Sequence, residues 1–157
     1  MNHYHSSVYE LWNKFIQSKP EFKDEKFDSW HFCNTENCAN KLVELVKKGI
    51  KRATTSLKYW YERGDEHYPF VGEFNVITNW DGVAQCISRT VKVTILPFKD
   101  VTDEMAFIEE EGDKSLKYWK EGHFEFFQND LKNVKINFTE DMQVVFEEFE
   151  MIYEKNF

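Results

Sequence analysis

The stretch that most constrains this chain is Phe74–Leu96, "FNVITNWDGVAQCISRTVKVTIL". Two runs rich in β-branched and aromatic residues flank Asp81-Gly82. Asp-Gly suits a tight turn whose central residues need left-handed backbone, so the segment reads as an antiparallel hairpin. Its second arm, Val83 to Leu96, is long for one strand and has room to bend before Pro97.

Helical patterns lie on either side. "SSVYELWNKFI" offers Ser7 as N-cap with Glu10 three residues on, and Val8, Leu11, Trp12, Phe15 and Ile16 form one apolar stripe. A second helix begins near Thr35 and turns Ala39, Leu42, Val43 and Val46 to one face. Lys47 and Lys48 complement its dipole, and Gly49 follows where a left-handed residue is wanted. After the hairpin come a short helix capped by Thr102, an acidic turn, and a helix from near Asp113. Leu116, Trp119, His123, Phe126 and Phe127 line that last helix's inward face, and His123 there reads as a core histidine. The closing strand alternates at Met142, Val144 and Phe146, then resumes out of phase at Phe149, Met151 and Tyr153. The slip reads as a β-bulge near Glu147-Glu148. The order helix, helix, strands, helices, strand predicts an α+β fold: a curled, mostly antiparallel sheet or barrel with flanking helices.

A length of 157 residues is expected to form one domain. An aromatic content of 17% excludes a disordered chain. "MNHYHSSVYELW" has neither the charged nor the apolar region of a secretory signal, and no apolar run approaches the roughly 20 residues of a membrane span. A cytoplasmic location with no membrane partner is therefore expected. Cys33, Cys38 and Cys86 show no CxxC spacing and read as reduced thiols. His31, Cys33 and Cys38 lack a second ligand pair, so neither a metal nor another cofactor is expected.

The net charge of −8 argues against non-specific binding to nucleic acid over the whole surface, and no DNA-binding motif is present. The charge is unevenly spread. Lys47, Lys48, Lys51, Arg52, Lys58 and Arg63 share one short segment with a single acid, Glu62, while the stretch from Asp103 to Asp113 holds acids and no base. Gly49–Ser56, "GIKRATTS", lies within the basic segment. Lys51 reads either as one partner of a salt bridge or as a site residue, and Thr54 and Thr55 fit an ordinary strand. Tyr59, Trp60 and Tyr61 suit either a core or a base-stacking platform.

"GIKRATTS" resembles the glycine-x-lysine-x-alanine-threonine-x-serine signature of ASCH domains, which have a PUA-like fold. "PFKDVTDEMAFIEEEGDKSLKYWKEGHFEFF" and "FTEDMQVVFEEFEMIY" resemble the second and final blocks of the longer bacterial type. Two positions depart from the pattern. Phe32-Cys33 stands where Phe-Gly is usual, and Glu109-Glu110-Glu111-Gly112-Asp113 where Glu-Gly-Glu-Gly-Asp is common.

The resemblance implies a cleft beside the motif strand that takes a nucleoside, nucleotide or RNA. It also implies either an amidohydrolase of acylated nucleosides such as acetylcytidine, a non-catalytic RNA-binding module, or a metal-independent ribonuclease. Carried over residue by residue, the catalytic lysine is Lys51, the threonine Thr54 and the glutamate Glu111, with Glu109 as its alternative. A threonine hydroxyl needs a base to take its proton, and a lysine serves as one when burial disfavours its charged form. Arg52, Ser56, Lys58 and Trp60 are expected to contact the ligand, Arg52 or Lys58 by orienting a phosphate or an oxyanion. The oligomeric state is not readable from the chain.

Overall fold

A computed structural model describes residues 3–109 and 113–156. Among them are five α-helices and a five-stranded mixed sheet ordered β1-β3-β4-β5-β2. The elements fall into two compact units. One holds the chain through Lys51, Phe70–Val91 and the chain from Phe149 onward; the other holds Arg52–Pro69 and Lys92–Glu148. The long strands β4 (Ala84–Pro97) and β5 (Gln143–Glu154) each contribute residues to both.

In the first unit, β3 (Phe74–Thr78) is buried along its whole length. Phe74 and Val76 pack with Val8, Leu11, Trp12 and Phe15 of α1 (Ser6–Ser18). Ile77 packs with Leu42, Val43 and Val46 of α2 (Glu36–Lys47), together with Phe32 and Cys86. A strand covered on both faces needs no polar alternation, which is why Phe74, Val76 and Ile77 do not alternate and Asn75 and Thr78 are buried beside them. The hairpin around Asp81-Gly82 forms as expected, with β3 antiparallel to β4, but of the two turn residues only Gly82 takes left-handed backbone, φ 80°. The irregularity in this pair lies between Ile77 and Thr78.

Two local expectations need correction here. His5, not Ser7, caps α1: its side chain accepts from the Ser7 N–H, while Ser7 Oγ accepts from Ala84 N. The sheet agrees with the mostly antiparallel expectation, with β1 (Phe27–Trp30), which has no clear pattern of its own, pairing parallel to β3. Cys33 and Cys38 form a disulfide, where reduced thiols were expected. Thr35 caps α2 between them and turns the chain so that their Cα atoms lie 5.9 Å apart, within bridging range. Cys33 has φ 59°, the left-handed backbone that a glycine takes without cost.

In the second unit, β2 (Ala53–Leu57) pairs antiparallel with β5, with Thr55 opposite Phe146 and Thr54 opposite Glu147. Phe98, Trp119, Phe127, Leu131, Phe138 and Val144 form the core. Tyr59, Trp60 and Tyr61 form a short helix, α3 (Lys58–Glu62). α4 (Asp103–Glu109) starts at Thr102, whose hydroxyl accepts from Met105 N. α5 (Leu116–Asp130) is capped by Ser115 and begins three residues after Asp113, near which its start was expected. Its buried face is Trp119, His123 and Phe127; Phe126 is exposed. The phase slip in the closing strand falls where β5 passes from one unit to the other, after Glu148. The β2–β5 pairing is regular up to that point, so the expected bulge is absent from it.

Candidate functional site

α2 ends as its sequence dictates. Lys48 closes the helix, Gly49 takes φ 71°, and the N–H groups of Gly49 and Ile50 cap Val46 O and Leu45 O. The chain then enters the motif. Lys51 is the last residue of the first unit, and its side chain is 1% exposed. Its ammonium lies 5.2 Å from the centroid of the Phe32 ring, a cation–π contact in an apolar setting.

Arg52 opens the second unit. Its backbone N–H donates to Ile108 O at 3.0 Å, and its exposed side chain lines a shallow pocket with Asp103, Glu104, Phe107, Ile108 and Lys114. Basic and acidic segments that are distant in sequence thus share one surface there.

Strand alternation divides the hydroxyls of β2. Ala53, Thr55 and Leu57 point to the buried face, and Thr54 and Ser56 to the other. Thr55 donates to Oε1 of Glu109, the last residue of α4, whose side chain is 1% exposed. Trp119 Nε1 donates to the same oxygen at 3.1 Å, and His123 Nε2 lies 2.8 Å from Oε2. Three elements, β2, α4 and α5, therefore meet at one buried carboxyl, and Thr55, Trp119 and His123 all lie in the second unit. Such a group is tolerated only when its lone pairs are used, as they are here. Among the described residues no buried side-chain polar atom lacks a partner.

The remaining predicted ligand contacts are tied to protein groups. Lys58 pairs with Glu62 at 3.0 Å and donates to Gln143 at 2.9 Å; the Glu62 carboxylate holds its ammonium above the usual range. Trp60 donates its indole N–H to Asp130 at 2.6 Å, and Ser56 Oγ lies 2.6 Å from the Tyr61 hydroxyl. The Arg63 guanidinium sits about equally over Tyr59 and Trp60, at 5.6 and 5.5 Å. Glu111 lies outside the described residues. No cluster of metal-ligating side chains is found among the described residues, and no described helix is long and apolar enough to cross a membrane.

Sequence reasoning missed Thr55, Trp119 and His123 as partners of the glutamate. The available signal was the spacing of Trp119 and His123, four apart on one helical face, together with an acid ten residues before Trp119.

The fold and this motif define an ASCH-type, PUA-like α+β protein. The ASCH domain family matches residues 28–153, and the chain belongs to that family. It is similar to the crystal structure of an ASCH domain from Lactobacillus crispatus, 34% identical over 98% of this chain and 99% of that one, with a TM-score of 0.91. A protein from Enterococcus faecalis V583 is 31% identical over 95% and 90% of the two chains, with a TM-score of 0.86. A hypothetical protein at 16% identity and a TM-score of 0.53, covering 81% of this chain and 100% of its own, shares the fold alone. Among curated proteins none matches.

Proposed function

We propose that this ASCH domain binds a nucleoside, nucleotide or RNA element at its Gly49–Ser56 segment and hydrolyses an acylated nucleoside such as acetylcytidine. The observation that carries the reading is the buried carboxyl of Glu109, hydrogen-bonded to Thr55 of the motif strand. A carboxyl removed from water and held by fixed donors is a group whose proton affinity the fold can tune. Of the two glutamates that the family resemblance allows, Glu109 takes the acid/base role. Thr54 keeps the nucleophile's role and Lys51 the base's, as the resemblance implies. Thr55 orients the glutamate. Positioned groups of this kind contribute about 10²–10⁴-fold in rate.

Incubation of purified protein with acetylcytidine, followed by chromatography for cytidine, tests this directly. Turnover is expected, with loss in Lys51→Ala and Thr54→Ala. A Thr54→Ala protein that turns over normally removes the nucleophile assignment.

One observation favours a second reading, a binding module without catalysis. Thr54 lies on the opposite face of β2 from the hydroxyl that reaches Glu109, and the oxygens of Glu109 are engaged by protein donors. On that reading Glu109 is architectural. RNA affinity then falls steeply with salt and with Lys51→Ala, and no cytidine is released.

A further inference from the structure

His123 lies on the buried face of α5, with its ring stacked on that of Trp119 at 4.0 Å and an interplanar angle of 16°. Its Nδ1 is 2.8 Å from the backbone carbonyl oxygen of Trp119. A carbonyl oxygen only accepts, so Nδ1 carries a proton. The other ring nitrogen, Nε2, is 2.8 Å from Oε2 of Glu109. A bare imidazole nitrogen and a carboxylate oxygen are both acceptors only. A proton therefore lies between them, as N–H···O⁻ or as N···H–O.

Both arrangements contain the same number of protons. Ring and carboxyl together hold two and are neutral as a unit. A neutral imidazole beside a carboxylate would hold one, and with that proton on Nδ1 none would remain for the 2.8 Å contact between Nε2 and Oε2. Oε1 of Glu109 is occupied by the Thr55 hydroxyl and the Trp119 indole, both donating, so the mobile proton belongs to the Oε2 side.

We propose that Glu109 and His123 act as one buried proton-holding unit, in which His123 is the positioning residue that keeps a transferable proton in line with Glu109. The use of that proton rests on the hydrolase reading above; its existence rests on the hydrogen-bond geometry alone. In hydrolysis of an acylated amine through Thr54, Lys51 takes the hydroxyl's proton as the new carbon–oxygen bond forms, and the unit gives a proton to the leaving amine as the carbon–nitrogen bond breaks. Water then cleaves the acyl ester on Thr54: the unit regains its proton from that water, Lys51 returns its own to the Thr54 oxygen, and both end in the state in which they began.

The test is a nitrogen-15 spectrum of the His123 ring at neutral pH in the full chain, assigned by loss of its signals in His123→Gln. The expected result is a proton on Nδ1, with Nε2 either protonated as imidazolium or bare because the proton sits on Glu109. Glu109→Gln serves as the control. Its amide can donate to Nε2 while its carbonyl accepts from Thr55 and Trp119, so the ring should remain in the Nδ1–H form with Nε2 bare. The tautomer with Nε2–H and a bare Nδ1 in the wild-type protein overturns the proposal. Where acetylcytidine is turned over, His123→Gln should lower kcat about 100-fold with KM unchanged, since glutamine can still donate to Oε2 but holds no transferable proton. An unchanged kcat removes the proton-holding role. Absence of turnover by the wild-type protein counts against the hydrolase reading, and the ring spectrum alone then decides the proton count.

Discussion

β3 and β2 are both five-residue strands, and they meet burial in opposite ways. β3 is covered by apolar side chains on each face, and its one amide, Asn75, accepts from the Trp30 indole at 2.9 Å. β2 buries Ala53 and Leu57 with a hydroxyl between them, and that hydroxyl serves a buried carboxyl. The first arrangement depends on area and volume and tolerates swaps of similar size. The second depends on matched donors and acceptors, where one missing partner leaves a desolvated group exposed to its full penalty. A chain that only needed to fold would gain more from the first, which is why the polar strand is the place to look for function.

The largest expected effects test that contrast. Phe74→Ala should cost about 3–5 kcal/mol in urea unfolding, because its ring packs on Trp12, Phe15 and Phe22. Glu109→Leu should cost a similar amount, about 3–5 kcal/mol, by stranding the donors that converge on the carboxyl. Glu109→Gln should return most of that loss, to within roughly 1 kcal/mol of wild type, since it keeps the hydrogen bonds. No comparable polar rescue exists for Phe74. A Glu109→Leu protein as stable as wild type would erase the distinction between the strands.

A pH effect of similar size belongs to the apolar side. Burial pushes the Cys86 thiol up from 9.0 to about 12. Its neutral form is favoured in the fold, so its contribution is whole below pH 9. It declines as the unfolded chain ionises and is lost as pH rises through about 12. Measured against Cys86→Ala, the decline should be of the order of 4 kcal/mol. Native Cys86 should also resist alkylation at pH 8. Reducing Cys33–Cys38, which closes a short loop, should cost about 2 kcal/mol and leave Cys86 unreactive. The smallest effect is Thr35→Ala, about 1 kcal/mol from loss of the α2 cap.

Elements with strong local chemistry were legible in the sequence. The Asp81-Gly82 turn, the Thr35 and Thr102 caps and the Gly49 stop all appear where their side chains and backbone preferences put them. What could not be read depended on contacts made at long range. β1 has no periodicity of its own and exists because β3 offers it a parallel edge. The first helix takes His5 as its cap because Ser7 Oγ is used by Ala84. Near the candidate site, the motif and the importance of its flanking acid were visible. Which threonine reaches which glutamate was not, because that depends on strand phase and on how α4 ends, and a one-residue change of phase exchanges Thr54 for Thr55. His123 was correctly read as buried; that it is bonded to the glutamate required the fold.

The central claim is that Glu109 is retained for chemistry rather than for architecture. The most direct measurement pairs acetylcytidine turnover with thermal unfolding for wild type and Glu109→Gln. The account predicts turnover by the wild-type protein, a variant that unfolds within a few degrees of it, and a fall in kcat of about 100-fold or more. Equal turnover by the two proteins, or none by the wild type, would contradict it.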